Sequence, residues 1–176
     1  MPGEKLLNKS MIRLIKGDIT NIEIDSFVFY ADNDLDLGSG FGTAINIRGG
    51  PSIRKELETL GPLHVTEAAV TAAGDMKAGY IIHAVGPKFQ EEDTENKLKL
   101  TIKNALKCAD AKGLKSIAFP PMGSGFYGVP LDTSAKITMQ TISGYLNSDT
   151  GIEEVVVCAM DNREYTALRE QMEKIN

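Results

Sequence analysis

The stretch Ser-Ile-Ala-Phe-Pro-Pro-Met-Gly-Ser-Gly-Phe-Tyr-Gly-Val-Pro, residues 116–130, decides how this chain is read. Ser116–Phe119 has the apolar character of a short strand, and it runs straight into two prolines and a glycine-rich loop. The same four residues, Gly-Ser-Gly-Phe, stand earlier at Gly38–Phe41, again downstream of a strand-like run, Phe27–Ala31. Glycine lets a backbone approach an anion closely, with successive amides converging on it, so two such loops suggest a site for phosphates. Either loop alone would be read equally well as a turn.

Outward from these loops, strands alternate with helices. Phe27-Val28-Phe29-Tyr30-Ala31 is nearly continuous in apolar residues, as in a central strand covered on both faces. It gives way to Asp32-Asn33-Asp34 at its carboxyl end, where ligand loops of α/β sheets emerge. Further strands are expected at Met11–Ile15, Val65–Ala72, Tyr80–Val85 and Glu154–Met160. Helices are expected at Thr43–Ile47, from Pro51 or Ser52 to Leu60, which Gly61-Pro62 stops, and at roughly Thr94–Ala111, whose Leu98, Ile102, Ala105, Leu106 and Ala109 recur at helical spacing. Another begins at Asp132 or Thr133 and is interrupted or ended near Gly144, and Arg163–Ile175 supplies the last. The pattern predicts an α/β fold built as one unit over residues 1–176, with a mixed sheet covered on both sides. The opening segment and the Tyr80–Val85 region are expected to supply antiparallel edges.

Composition narrows the function. The formal charge is −5, from 24 acids against 19 Lys plus Arg, and no basic stripe stands out, which argues against extended nucleic-acid binding. The apolar runs are too short to span a membrane and no secretion signal is evident, so a cytoplasmic address without membrane attachment is expected. Cys108 and Cys158, the only cysteines, read as buried free thiols, and His83 reads as structural. With His64 the only other histidine, and with Asp32, Asp34 and Asp36 matching no complete calcium loop, neither a metal nor a cofactor is expected.

Taken in order, Gly17-Asp18-Ile19-Thr20, the strand and loop Asp25–Ile45, His83-Ala84-Val85-Gly86-Pro87 and Phe119–Pro130 resemble the macrodomain family over nearly the whole chain. The resemblance implies a three-layer α/β/α sandwich around a central mixed sheet, with ADP-ribose bound in a cleft at the sheet's carboxyl edge. It implies that Asp18 accepts a hydrogen bond from the adenine amine and that the Ile19 amide meets a ring nitrogen. Read from the residues alone, Asp18 is equally a turn or cap aspartate. The resemblance also places Gly38, Ser39, Gly40 and Phe41 on one side of the diphosphate and Gly123, Ser124, Gly125, Phe126 and Tyr127 over the other.

This chain departs from the family at four positions. Phe29-Tyr30-Ala31-Asp32 stands where Asn-Ala-Ala-Asn is common, and Gly42 stands where one hydrolase group carries an aspartate. Met160 replaces the aromatic residue that commonly stacks on adenine, although its thioether can still contact a ring. The resemblance therefore implies binding of ADP-ribose or a derivative, including mono-ADP-ribosylated protein, with Asp32 or nearby backbone holding the distal ribose. The alternative is a metal-independent hydrolase acting on ADP-ribosylated protein or O-acetyl-ADP-ribose, with Asp32, or less readily Asp34, guiding water. Another nucleotide diphosphate, single-stranded RNA, or a structural role with a relic cleft are the remaining readings.

Overall fold

The computed structural model describes residues 3–38 and 40–175. In chain order these form strands β1 (Glu4–Leu7), β2 (Ser10–Lys16) and β3 (Ser26–Ala31), then helices α1 (Phe41–Gly49) and α2 (Pro51–Leu60). Strands β4 (Ala68–Ala72) and β5 (Tyr80–Val85), helix α3 (Thr94–Ala111) and strand β6 (Ser116–Phe119) follow. Helix α4 (Leu131–Leu146), strand β7 (Glu154–Ala159) and helix α5 (Asn162–Glu173) complete the order. The strands make one sheet, β1-β2-β7-β6-β3-β5-β4. Its five inner strands are parallel, and β1 and β4 close the edges antiparallel to their neighbours.

Period-two alternation in β3 divides the interior between the two faces of the sheet. Val28 and Tyr30 point into a core with Leu98, Ile102 and Leu106 of α3, Ile142 of α4 and Leu168 of α5. Phe27, Phe29 and Ala31 point the other way, against Ile45 of α1 and Ile53 and Leu57 of α2. Every residue of β3 is buried, which explains its unbroken apolar run. The architecture is the expected α/β/α sandwich.

Several boundaries differ from the sequence reading, those of β4, α1 and α4 among them. The strand expected from Val65 starts only at Ala68, because the chain turns at Val65 and Thr66, with Thr66 at a φ of 80°. Helix α1 begins at Phe41, inside the glycine loop, and runs to Gly49. Helix α4 passes through Gly144 to Leu146 without a break. Buried Ile142 and Leu146 flank that exposed glycine, and their packing outweighs a propensity penalty of roughly 1 kcal/mol.

His83 is wholly buried on β5. Its Nε2 lies 2.9 Å from Thr71 Oγ1, its Nδ1 has no partner, and its ring meets Phe29 edge-on at 6.0 Å. Burial disfavours the charged imidazolium and pushes the pKa down to about 4. The folded state therefore keeps His83 neutral where the unfolded chain takes up a proton. Stability is full above the unfolded value of about 6.5 and is lost as pH falls toward 4. Between neutral pH and about pH 5, urea unfolding should lose roughly 2 kcal/mol more in the wild type than in His83→Gln. Parallel losses in the two proteins would rule out this assignment.

Candidate functional site

Strand β6 stops early, and the site occupies the space it leaves. It pairs with β3 only through Ser26 with Ile117 and Phe27 with Ala118, and with β7 no further than Phe119 with Val157. Pro120 and Pro121 follow, and neither has an N–H with which to continue the ladder. The neighbouring strands continue, β3 to Ala31 and β7 to Ala159. The sheet therefore parts beyond Phe119. A cavity of about 430 Å³ occupies this opening, with Val28, Phe29 and Tyr30 on one flank, Cys158 and Met160 on the other, and Pro120 and Pro121 between them.

The second glycine loop covers the opening. Gly123 has a φ of 83°, its carbonyl accepts from the Val129 amide at 3.0 Å, and an added Cβ would lie 2.8 Å from Val129 Cγ2, so glycine is required there. Helix α4 holds the base of the loop: Ser134 Oγ donates to the Met122 carbonyl at 2.7 Å, and the Met122 amide donates to Thr138 Oγ1 at 3.2 Å. An aromatic series runs outward from the strand, Tyr30 to Tyr127 at 4.7 Å and Tyr127 to Phe126 at 5.2 Å, and ends in an exposed Phe126 at the rim. The Tyr30 hydroxyl donates to the Pro87 carbonyl, and burial raises its pKa. Burial, then the negative charge of Asp32, pushes Tyr127 up to about 12.

The first loop contributes Asp36, Gly40 and Phe41 to the cavity wall. Helix α1 starts at Phe41 with no side-chain cap; the Thr43 amide donates to the Gly40 carbonyl at 3.2 Å, which leaves the Phe41 and Gly42 amides as the ones that can meet an anion. Gly38 is exposed and outside the lining, and Ser39 lies outside the described residues. Asp32 is half-buried and Asp34 exposed, and neither lines the cavity. Asp32 Oδ1 accepts from the Asp36 amide at 3.0 Å, which folds the loop.

The other end of the cavity lies beside β2 and β7 and is lined by Gly17, Ile19, Cys158, Met160 and Glu164. Asp18 stands at its edge, outside the lining. Its Oδ1 accepts from the Thr20 amide at 2.9 Å and from Thr20 Oγ1 at 2.6 Å, and its Oδ2 lies 2.8 Å from Arg48 Nη1. Partial burial pushes this carboxyl up, but the Thr20 hydrogen bonds and Arg48 outweigh that effect and hold it below the usual value. Cys158 Sγ donates to the Gly17 carbonyl at 3.3 Å; burial, then the charges of Asp18 and Glu164, raises this thiol to about 11. Both cysteines are free, but Cys108 is only half-buried, less than the sequence reading expected.

The Macro domain family model matches residues 29–138. The chain belongs to the Macro domain family. A macro domain-containing protein of Caldanaerobacter subterraneus subsp. tengcongensis is 36% identical over 174 residues, covering 96% of this chain and 99% of the relative. The solved Oceanobacillus iheyensis macrodomain with ADP superposes with a TM-score of 0.92 at 28% identity, covering 97% of this chain and 94% of that one. A Trypanosoma brucei macrodomain in complex with ADP-ribose superposes with a TM-score of 0.86 at 25% identity, covering 92% of this chain and 68% of that one.

Within this macrodomain, two departures from the common pattern have packing explanations. Phe29 faces the α1 and α2 core as well as the cavity, sealed by its edge contact with His83. Gly42 is buried, and an added Cβ would lie 3.0 Å from Leu37 Cα, so a side chain there requires the loop backbone to move. Met160 is exposed at the rim, and its amide donates to Glu164 Oε1 at 2.9 Å. Sequence reasoning missed Glu164 as a lining residue. Its signal was the capping-box spacing from Asp161, whose Oδ1 accepts from the Glu164 amide at 2.9 Å. Cys158, two residues before Met160 at the end of β7, was legible from strand alternation.

Gly86 gives a direct test of how this wall is built. A Cβ there would lie 2.2 Å from Tyr30 Oη, so Gly86→Ala must displace the ring beneath Tyr127. The expected outcome is a loss of about 1–3 kcal/mol in urea unfolding. An unchanged midpoint would show that the ring has room to move.

Proposed function

We propose that this macrodomain binds ADP-ribose or a derivative carrying it, including mono-ADP-ribosylated protein. The observation that carries the reading is a cavity walled by two glycine loops and an uncapped helix start, with no lysine or arginine among its lining residues. Among the described residues its charged lining is Asp36 and Glu164, both acidic. An anion held there is compensated by main-chain amides, which suits a diphosphate fixed by geometry rather than a loosely held polyanion. The ADP and ADP-ribose in the two solved macrodomains support this choice of ligand.

In this reading the diphosphate lies between Gly40 and Phe41 on one side and Gly123–Tyr127 on the other. The base lies toward Ile19 and Met160, with Asp18 accepting from its amine. The distal ribose lies toward Phe29, Asp36 and Tyr127. Asp32 is engaged in folding its own loop and Asp34 faces solvent, so the arrangement favours recognition over hydrolysis. The hydrolytic reading retains one carboxylate in the cavity wall at the β3 end, Asp36.

Titration calorimetry with ADP-ribose, ADP, AMP and GDP-ribose should rank ADP-ribose first, and no heat at millimolar ADP-ribose would overturn the proposal. Asp18→Ala should weaken ADP-ribose about tenfold and GDP-ribose far less, as expected when one hydrogen bond to a charged acceptor is lost. Incubation with an ADP-ribosylated protein or O-acetyl-ADP-ribose should give no turnover. Turnover that Asp36→Asn or Asp32→Asn abolishes would establish the hydrolase instead.

A further inference from the structure

We propose that Arg48 is a positioning residue for the base end of the cleft, fixing the Asp18 carboxylate so that it offers one acceptor site to the ligand. This inference rests on the ADP-ribose reading. A carboxylate has about four lone-pair sites. Three are taken here: the Thr20 amide and hydroxyl both reach Oδ1, and Arg48 Nη1 reaches Oδ2. The same Arg48 nitrogen donates to Thr20 Oγ1 at 3.0 Å, so one guanidinium corner closes the Asp18–Thr20 turn from outside. The site that remains can take a single N–H, which an amine-bearing base supplies and a keto-bearing base at the same position does not.

The position of Arg48 gives the contact a second consequence. It stands in the last turn of α1, where a cation is favoured by the helix dipole, and Phe41 at the other end of the same helix lines the cavity. One nine-residue helix, about 13 Å long, thus joins the first glycine loop to the base-end turn. Arg48 does not line the cavity and acts through Asp18. Both side chains are more than two-fifths exposed, so the pair adds little to overall stability and serves to orient the carboxylate. The groups facing Asp18 are Thr20 from its own turn, Arg48 from α1 and the Cys158 thiol from β7. Lys16, nearby in sequence, is directed to Asn162 Oδ1 at 2.7 Å.

The test uses the full chain with Arg48→Gln and Arg48→Lys. Dissociation constants are measured for ADP-ribose and for its hypoxanthine analogue, which carries a keto group in place of the amine. Arg48→Gln should weaken ADP-ribose roughly threefold to tenfold while changing the analogue much less, and Arg48→Lys should recover part of the loss. Without any ligand, the carboxyl carbon of Asp18 followed by NMR should titrate at higher pH in Arg48→Gln than in the wild type. Equal weakening of the two ligands, or an unmoved Asp18 midpoint, overturns the proposal. A wild type that binds neither ligand overturns the ADP-ribose reading and the base-end role with it. The Asp18 midpoint then still decides whether Arg48 holds the carboxylate.

Discussion

Two consecutive prolines at the end of one short strand set the form of this molecule's working face. Pro120 and Pro121 have no amide hydrogen to give to β3 or β7, so the ladder, last paired at Ala118 with β3 and at Phe119 with β7, does not resume while both neighbours run on. A parallel sheet that parts in this way exposes main chain and side chains from two strands that would otherwise be hidden by a third. The cleft is thus a property of the backbone before it is a property of any side chain. The glycine loop that follows the prolines is placed by chain connectivity over the opening they create.

The chemistry of the cleft follows from what surrounds that opening. Its lining is largely apolar and aromatic, with carboxylates near the two ends and no cation among the lining residues. In the proposed reading, an anion is met by amides whose directions are fixed by helix α1 and by the turns of the second loop. The aromatic series from Tyr30 through Tyr127 to Phe126 connects this surface to the core, and the bare α-carbon of Gly86 leaves room for its first ring. At the β3 end, Phe29 stands where the family commonly has an asparagine, and it is buried against His83. The result is a site whose described lining is shaped by main chain and aromatic rings and carries two carboxylates, those of Asp36 and Glu164.

The sequence by itself determined the three layers, the buried parallel strands and the two glycine loops. These depend on local periodicity and backbone freedom, which are written in consecutive residues: the unbroken run of β3, the helical spacing of α3, and Gly-Ser-Gly-Phe twice over. It also marked Gly42 and Phe29 as departures, but it could not say that Gly42 packs on Leu37 or that Phe29 meets His83. Only the tertiary structure decided that Asp32 folds its own loop, that Glu164 reaches the cavity wall, and that Asp18 is paired with Arg48, thirty positions along the chain. Each of these is a contact between polar groups whose alternatives in sequence are equally good caps, ligands or solvated charges. Which partner an aspartate finds depends on where a helix from elsewhere in the chain ends, and that is fixed by packing of the whole domain and not by its neighbours in sequence.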